Sequence, residues 1–178
     1  MGEPDAYPRE LEHDAVLCDG SRVHIRPIRP EDAPRLVALY DRLGAHTAYQ
    51  RFFVVMRRLP PDWARLLATV DYRRRLALVA ERSTNGEPEL LGVGRYESSA
   101  TDDVPEVAFV VQDGWQGKGV GTILLGDVLR AGLARGFRRF RAYVLADNRR
   151  MLDLLARFGD IQESRTDHGV RIMVFVPR

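Results

Sequence analysis

Cysteine is almost missing from this chain. Cys18 is the only one, which excludes an internal disulfide, and no His or Cys cluster surrounds it to make a thiolate metal site. In a strand-like stretch such a thiol is expected to be buried. The four histidines, His13, His24, His46 and His168, fall at no metal-ligand spacing, so no metal is expected. No window approaches the roughly 18 apolar residues of a membrane span, and the Glu3-Pro4-Asp5 start lacks the basic patch and apolar run of a signal peptide. A cytoplasmic protein without membrane contact is expected. Lysine is scarcer than any other cation: Lys118 stands alone among 27 basic residues, which 25 acids nearly balance. Runs such as Arg73-Arg74-Arg75 and Arg138-Arg139 carry no interleaved aromatics, so a nucleic-acid partner is not expected.

What is present suffices for a core. The chain has 178 residues, 45% of them hydrophobic, which suits one domain of ordinary size. Residues 1–14 are polar and proline-bearing and read as a flexible arm, leaving 15–178 as the domain, a monomer or a homodimer. Val16 to Cys18 and Val23 to Arg26 read as a hairpin around a type I′ turn at Asp19-Gly20. Helical periodicity follows from Pro30 to Gly44, over residues 47–53 and from Pro60 to Val70. Strands are expected at residues 76–81, 90–97 and 104–112, the first two joined across Asn85-Gly86. A long helix over 119–135 ends at Gly136, then a strand (140–145), a helix (148–158) and two strands (161–166 and 170–176) complete the chain. The order predicts an α/β (α+β) fold, a mixed, mostly antiparallel central sheet with helices on both faces.

The most informative stretch is Gln116-Gly117-Lys118-Gly119-Val120-Gly121-Thr122, where a strand pattern gives way to a helical one. Glycines let the main chain approach a ligand, and the free N–H groups of the helix start point with its dipole at an anion, ideally a diphosphate. The spacing fails the P-loop, because Gly114 and Gly119 are followed by Val120 and Gly121 rather than Lys and Ser/Thr. It also fails the dinucleotide pattern Gly-x-Gly-x-x-Gly, whose last position would be Thr122 or Leu124. Gln-x-x-Gly-x-Gly remains.

That motif resembles the acetyl-CoA diphosphate loop of the GNAT superfamily of N-acetyltransferases, and the element order from Val16 to Val176 is similar to the GNAT fold. The segments from Asp19 to Asp32 and Tyr49 to Phe53 further resemble the acetyltransferase domain of bacterial protein lysine acetyltransferases that act on acyl-CoA synthetases. The resemblance implies acetyl-CoA as co-substrate, bound by residues 116–122. It also implies an amine acceptor, with a protein lysine favoured over a small molecule. Lys118 would then be the one internal target, and it lies in the enzyme's own cofactor loop. The resemblance also implies main-chain contacts to the pantetheine arm and thioester from Ala108, Phe109 and Val110, and contacts to the arm from Asn148 and Met151. Asp147 and Asn148 are equally good helix N-caps in their own right.

Acyl transfer to an amine needs the neutral form, yet at pH 7 a lysine of pKa near 10.4 is deprotonated only about once in a few thousand. A general base must supply the rest. Glu106, ten residues before Gln116, stands where the resembling acetyltransferases keep a catalytic glutamate, and the resemblance implies that role for it. Leu155 occupies the position at which many superfamily members have a tyrosine that protonates the leaving thiolate. Tyr143 and Tyr96 are the substitutes within the chain, and a catalytically silent acyl-CoA sensor is the alternative from another class.

Overall fold

A computed structural model describes residues 6–178 of the chain. Eight strands form one sheet in the order β1-β2-β3-β4-β5-β6-β8-β7. They are β1 His13–Val16, β2 Arg22–Pro27, β3 Arg75–Thr84, β4 Glu87–Glu97, β5 Glu106–Val111, β6 Phe140–Leu145, β7 Gly159–Asp167 and β8 Val170–Pro177. Every neighbouring pair is antiparallel except β5 and β6. The helices are α1 Ala33–Asp41, α2 Ala45–Phe52, α3 Pro61–Ala68, α4 Val120–Ala134 and α5 Arg149–Phe158.

Strand alternation assigns the two faces. On β4, Gly92 and Gly94 lie against Val120 and Leu124 of α4, and a Cβ at Gly94 would stand 2.8 Å from the Phe109 ring and 3.1 Å from Leu124 Cβ. Only glycine lets helix and sheet approach so closely. The intervening residues face the other way, where Arg95 donates to the Leu67 carbonyl of α3 at 3.1 Å. Helices therefore cover both faces, as the element order predicts. Beneath the second layer Asp32, fully buried, receives both terminal nitrogens of Arg26 at 2.8 and 2.7 Å, and Arg35 at 2.9 Å.

Two hairpin turns have paired left-handed residues and a third, at Asp19-Gly20, does not. Asn85 and Gly86 have φ of 52° and 82°, and His168 and Gly169 have 49° and 79°, the paired left-handed residues of type I′ hairpins. At Asp19-Gly20 only Gly20 has positive φ. The Gly20 N–H returns to Leu17 O at 2.9 Å and the Leu17 N–H to Ser21 O at 2.8 Å. The expected I′ turn is thus replaced by a wider loop, and the Cys18 N–H is drawn to Lys118 O at 3.0 Å.

The expected arm, residues 1–14, makes contacts with the fold from Tyr7 onward. Residues 1–5 lie outside the described part, but those after them are held. The Tyr7 hydroxyl donates to Glu12 at 2.8 Å and to Pro27 O at 3.1 Å, and its ring packs edge-on against Tyr72. Residues His13 to Val16 pair with β2, and His13 Nε2 meets Asp127 of α4 at 2.6 Å. Long-range contacts of one aromatic and one histidine therefore bind a segment whose composition is that of a loose end.

Candidate functional site

The parallel pairing of β5 with β6 covers only Glu106↔Arg141 and Val107↔Ala142, after which the strands diverge. A cleft of about 440 Å³ opens in the gap. Main-chain alternation tells which groups it receives. The Gln112 N–H bonds Leu91 O on β4, and Pro105 O accepts from the Arg141 N–H. Even-numbered residues of β5 thus address β4 and odd-numbered ones address β6. Beyond Val107 no β6 partner remains, so the N–H and C=O of Phe109 face the cleft unpaired. Of the three residues Ala108, Phe109 and Val110 named from sequence, all line the cleft, yet the backbone groups of Ala108 and Val110 are directed to β4. Phe109 alone of the three presents a main-chain donor to a ligand there.

The floor of the gap leads to the start of α4. Gly117 and Gly119 adopt φ of 77° and 102°, and the first intrahelical bond runs from Ile123 N to Gly119 O at 3.1 Å. The N–H groups of Val120, Gly121 and Thr122 precede it and have no helical partner. Gly117, Gly119, Gly121 and Thr122 line the cleft. Val120 does not, since its side chain is 1% exposed in the core and only its N–H is turned outward. Nor does Lys118, whose ammonium pairs with Asp19 at 3.1 Å and sits over the Trp115 ring. Gln116 lines the cleft, but its side chain is already engaged. It donates to Val111 O at 3.0 Å and accepts from Arg150 at 3.1 Å. Its task is to hold the loop in shape.

Across the gap, Asn148 caps α5 by accepting from the Met151 N–H at 3.3 Å, which leaves its amide nitrogen free. Both residues line the cleft. Leu155, 1% exposed, is on the wall without an acidic proton to offer. Tyr96 is fully buried and donates to Arg73 O at 2.7 Å; burial raises its phenol well above the ordinary value. It does not reach the cleft. Tyr143 is half-exposed and lines it.

Glu106 stands at the vertex where β5 and β6 part, one residue before the lining begins at Val107. Among the described residues no hydrogen bond or ion pair holds its carboxylate. Desolvation raises its pKa above the ordinary glutamate value; Arg51 and Arg141 oppose the rise, and Glu97, its register partner on β4, adds to it. A carboxylate so placed is unpaired, reachable and a stronger base than a free glutamate.

Several lining residues were not read from sequence. Arg51 on α2 with Arg150 and Arg157 on α5 are the charged groups on the wall, with no carboxylate among them. Arg150 and Arg157 are two helical turns apart, a spacing that puts both on one face. Thr47 ties α2 to the loop by donating to Asp113 at 3.0 Å. Cys18 corrects an expectation: its thiol is exposed, not buried, and lines the cleft 3.5 Å from where a Cβ on Gly119 would stand. The hairpin loop carries it there through the bond to Lys118 O.

A cationic cleft with a glycine-rich helix start at one end, an unpaired strand N–H in the middle and a free carboxylate at the other suits a long anionic thioester. Among the described residues no cluster of three or more His, Cys, Asp or Glu is placed to hold a metal. No described helix is long and apolar enough to cross a membrane.

Comparison with known proteins agrees. Residues 22–159 match the family model described as acetyltransferase (GNAT) domain. The chain is 29% identical to an acetyltransferase of Pseudomonas aeruginosa over 88% of its own length and 84% of that protein. It is 31% identical to the acetyltransferase Pat of Mycolicibacterium smegmatis over 85% of its length but only 44% of Pat. The crystal structure of the GNAT domain of S. lividans PAT superposes with a TM-score of 0.85 at 33% identity, covering 96% of this chain and 99% of that one. A cAMP-binding acyltransferase from Mycobacterium smegmatis superposes with a TM-score of 0.63 at 25% identity, over 94% of this chain and 48% of that one.

Proposed function

The chain belongs to the acetyltransferase (GNAT) domain family, whose members use acetyl-CoA, and we propose on that footing that it transfers acetyl from acetyl-CoA to a protein lysine amine. The observation that carries the reading is the early parting of β5 and β6 beside the start of α4, with Glu106 at the vertex. The protein acceptor rests on the resemblance of the segments from Asp19 to Asp32 and Tyr49 to Phe53 to bacterial protein lysine acetyltransferases, and the likeness to Pat and to the PAT domain is in keeping with it.

In this reading the N–H groups of Val120, Gly121 and Thr122 and the guanidinium groups of Arg150 and Arg157 receive the diphosphate and phosphate of the co-substrate. The Phe109 N–H donates to the thioester carbonyl and gains strength as negative charge develops on that oxygen. Glu106 takes the ammonium proton, directly or through one water. The freed amine nitrogen attacks the carbonyl carbon, the carbon–sulfur bond breaks to release CoA as thiolate, and the second proton of the now cationic nitrogen passes to that thiolate, directly or through a relay. Tyr143 is the phenol on the wall able to meet that thiolate, since Leu155 cannot.

The apolar Leu155 gives specific weight to a second reading, a silent acyl-CoA sensor, and one pair of measurements separates the two. Acetyl-CoA should raise the Tm while ATP at the same concentration raises it less. Thiol release should then follow on adding an acyl-CoA synthetase. Stabilisation without thiol release from any protein or small amine would favour the sensor, whereas release with a small amine alone would move the acceptor class.

A further inference from the structure

A second hollow, of about 540 Å³, opens at the opposite end of α4 from the diphosphate loop. Its wall holds Arg73, Arg74, Arg135, Arg138 and Arg139, and Asp103 is its single acid. At 15 residues, α4 puts about 22 Å between the two ends, so this hollow is separate from the acetyl-transfer cleft.

The obvious objection is that arginines gather at helix ends to satisfy the last carbonyls. Two of them do so. Arg135 donates to Ala131 O at 3.2 Å and to Tyr72 O at 2.8 Å, and Arg138 donates to Leu133 O at 3.1 Å and Phe137 O at 3.2 Å. The bonds to Ala131 O and Leu133 O satisfy carbonyls of the last helical turn and offset part of the negative end of the helix dipole, which would otherwise repel an anion. They also fix both guanidinium planes while leaving each a terminal nitrogen without a partner among the described residues, out of five N–H donors per side chain. The remaining three have little to do with the helix. Arg74 is anchored on Ser99 O at 2.6 Å and stands 3.7 Å from Asp103, whose side chain is 90% exposed. Among the described residues Arg139 pairs only with Glu163, at 3.8 Å. Among the described residues the exposed Arg73 side chain has no hydrogen-bond or ion-pair partner.

Five like charges held around one hollow repel one another, and two solvated carboxylates, Asp103 beside Arg74 and Glu163 beside Arg139, do not offset all of them. Forked donors fixed in several directions match the tetrahedral oxygens of phosphate better than a single carboxylate. The volume lies within the roughly 300–1,000 Å³ of small-ligand sites. We propose that this hollow binds a small anion carrying two or more linked phosphates, either an inorganic polyphosphate or a nucleoside polyphosphate.

The probe is inorganic tripolyphosphate, titrated calorimetrically into protein saturated with CoA so that the diphosphate loop is already filled. A one-to-one isotherm is expected, and in the double variant Arg73→Ala/Arg139→Ala it should weaken by about tenfold or more. Both side chains are exposed and neither supports the fold, so the variant should keep the native Tm and its CoA affinity. A parallel ATP titration separates the sources: tighter binding than tripolyphosphate marks a nucleoside ligand, and equal binding an inorganic one. No isotherm in the presence of CoA, or one unchanged in the double variant, would overturn the assignment. Neither result depends on whether the chain acetylates lysine.

Discussion

Replacing Glu106 by Gln keeps the size and polarity of the side chain and removes only its capacity to accept a proton. Because no described residue bonds the carboxylate, nothing else in the site should reorganise. The magnitude follows from the acceptor. At pH 7 an amine of pKa near 10.4 is neutral about once in 2,500, so a base that takes over its deprotonation is worth at most about three decades, or ~4–5 kcal/mol of barrier. That falls within the roughly hundred- to ten-thousand-fold typical of general bases. The deficit should be pH-dependent. With E106Q the rate is limited by free neutral amine and climbs about tenfold per pH unit, so the gap to wild type narrows steadily and closes near pH 10. On the acid side, wild type should lose activity at an inflection above the ordinary glutamate value of 4.5, since burial raises the Glu106 pKa. For stability the sign is opposite to that of a buried ion pair. A carboxyl whose pKa rises on folding contributes stability that is intact below its unfolded value and lost as pH rises through the folded one. E106Q should therefore unfold at the same or a slightly higher temperature at pH 7. The assay is kcat/KM by thiol release from pH 5 to 10. A wild-type to variant ratio that stays constant across that range would refute the general-base role and leave Glu106 as a group that only positions the acceptor.

Other outcomes follow from the packing. Asp32→Asn should cost about 3–5 kcal/mol, because it removes the buried carboxylate that takes both terminal nitrogens of Arg26 and leaves Glu81, 2.9 Å from one of them, to balance that charge alone among the described residues. Burial pushes the Asp32 carboxyl up, but hydrogen bonds from Arg26 and the Arg29 N–H outweigh it and hold it below the ordinary value. Its stabilisation is present above the unfolded pKa and lost as pH falls through the folded one, so acid unfolding should lose that component in the variant. Gly94→Ala should lower stability by about 1–3 kcal/mol and raise KM for acetyl-CoA, since the added methyl displaces the Phe109 ring beside the cleft; calorimetry and kinetics read the two effects separately. The hydrogen bond that His13 donates to Asp127 raises the His13 pKa. Its tether is therefore complete below the ordinary histidine value of 6.5 and weakens as pH rises through the folded value. Hydrogen-exchange protection of β1 amides, corrected for intrinsic rates, should fall over that interval, and His13→Asn should abolish the dependence.

Most of the fold was legible because its signals are local. Alternation at residues 106–111, the Asn85-Gly86 turn and the long apolar period after Gly119 each determine an element by themselves. What escaped depends on partners far along the chain. Tyr7 is held by Pro27 and Tyr72, and His13 by Asp127, so a segment with the composition of a tail becomes an edge strand. Cys18 reads as a strand residue and becomes part of the cleft wall, because a loop wider than a I′ turn swings it to Gly119. At the site, composition names the glycines and Glu106 but does not tell that β5 and β6 part after Val107. Without that, the unique position of Phe109 among its neighbours is invisible. Gln116 shows the reverse: a motif residue whose side chain is spent inside the protein, on Val111 and Arg150.

The parting of β5 and β6 also divides the sheet mechanically. Strands β1 to β5 form one panel and β6, β8 and β7 another, and two residue pairs are the whole seam between them. Panels joined so briefly have few main-chain bonds to resist a hinging motion about that seam. An extended ligand lying in the gap and bonded to Phe109 would stitch the free edge of β5 as a missing strand does, stiffening the hinge. Occupancy of the cleft then becomes readable far from it, as slower exchange of amides in β6 and β8, and the protein's rigidity would report whether its co-substrate is aboard.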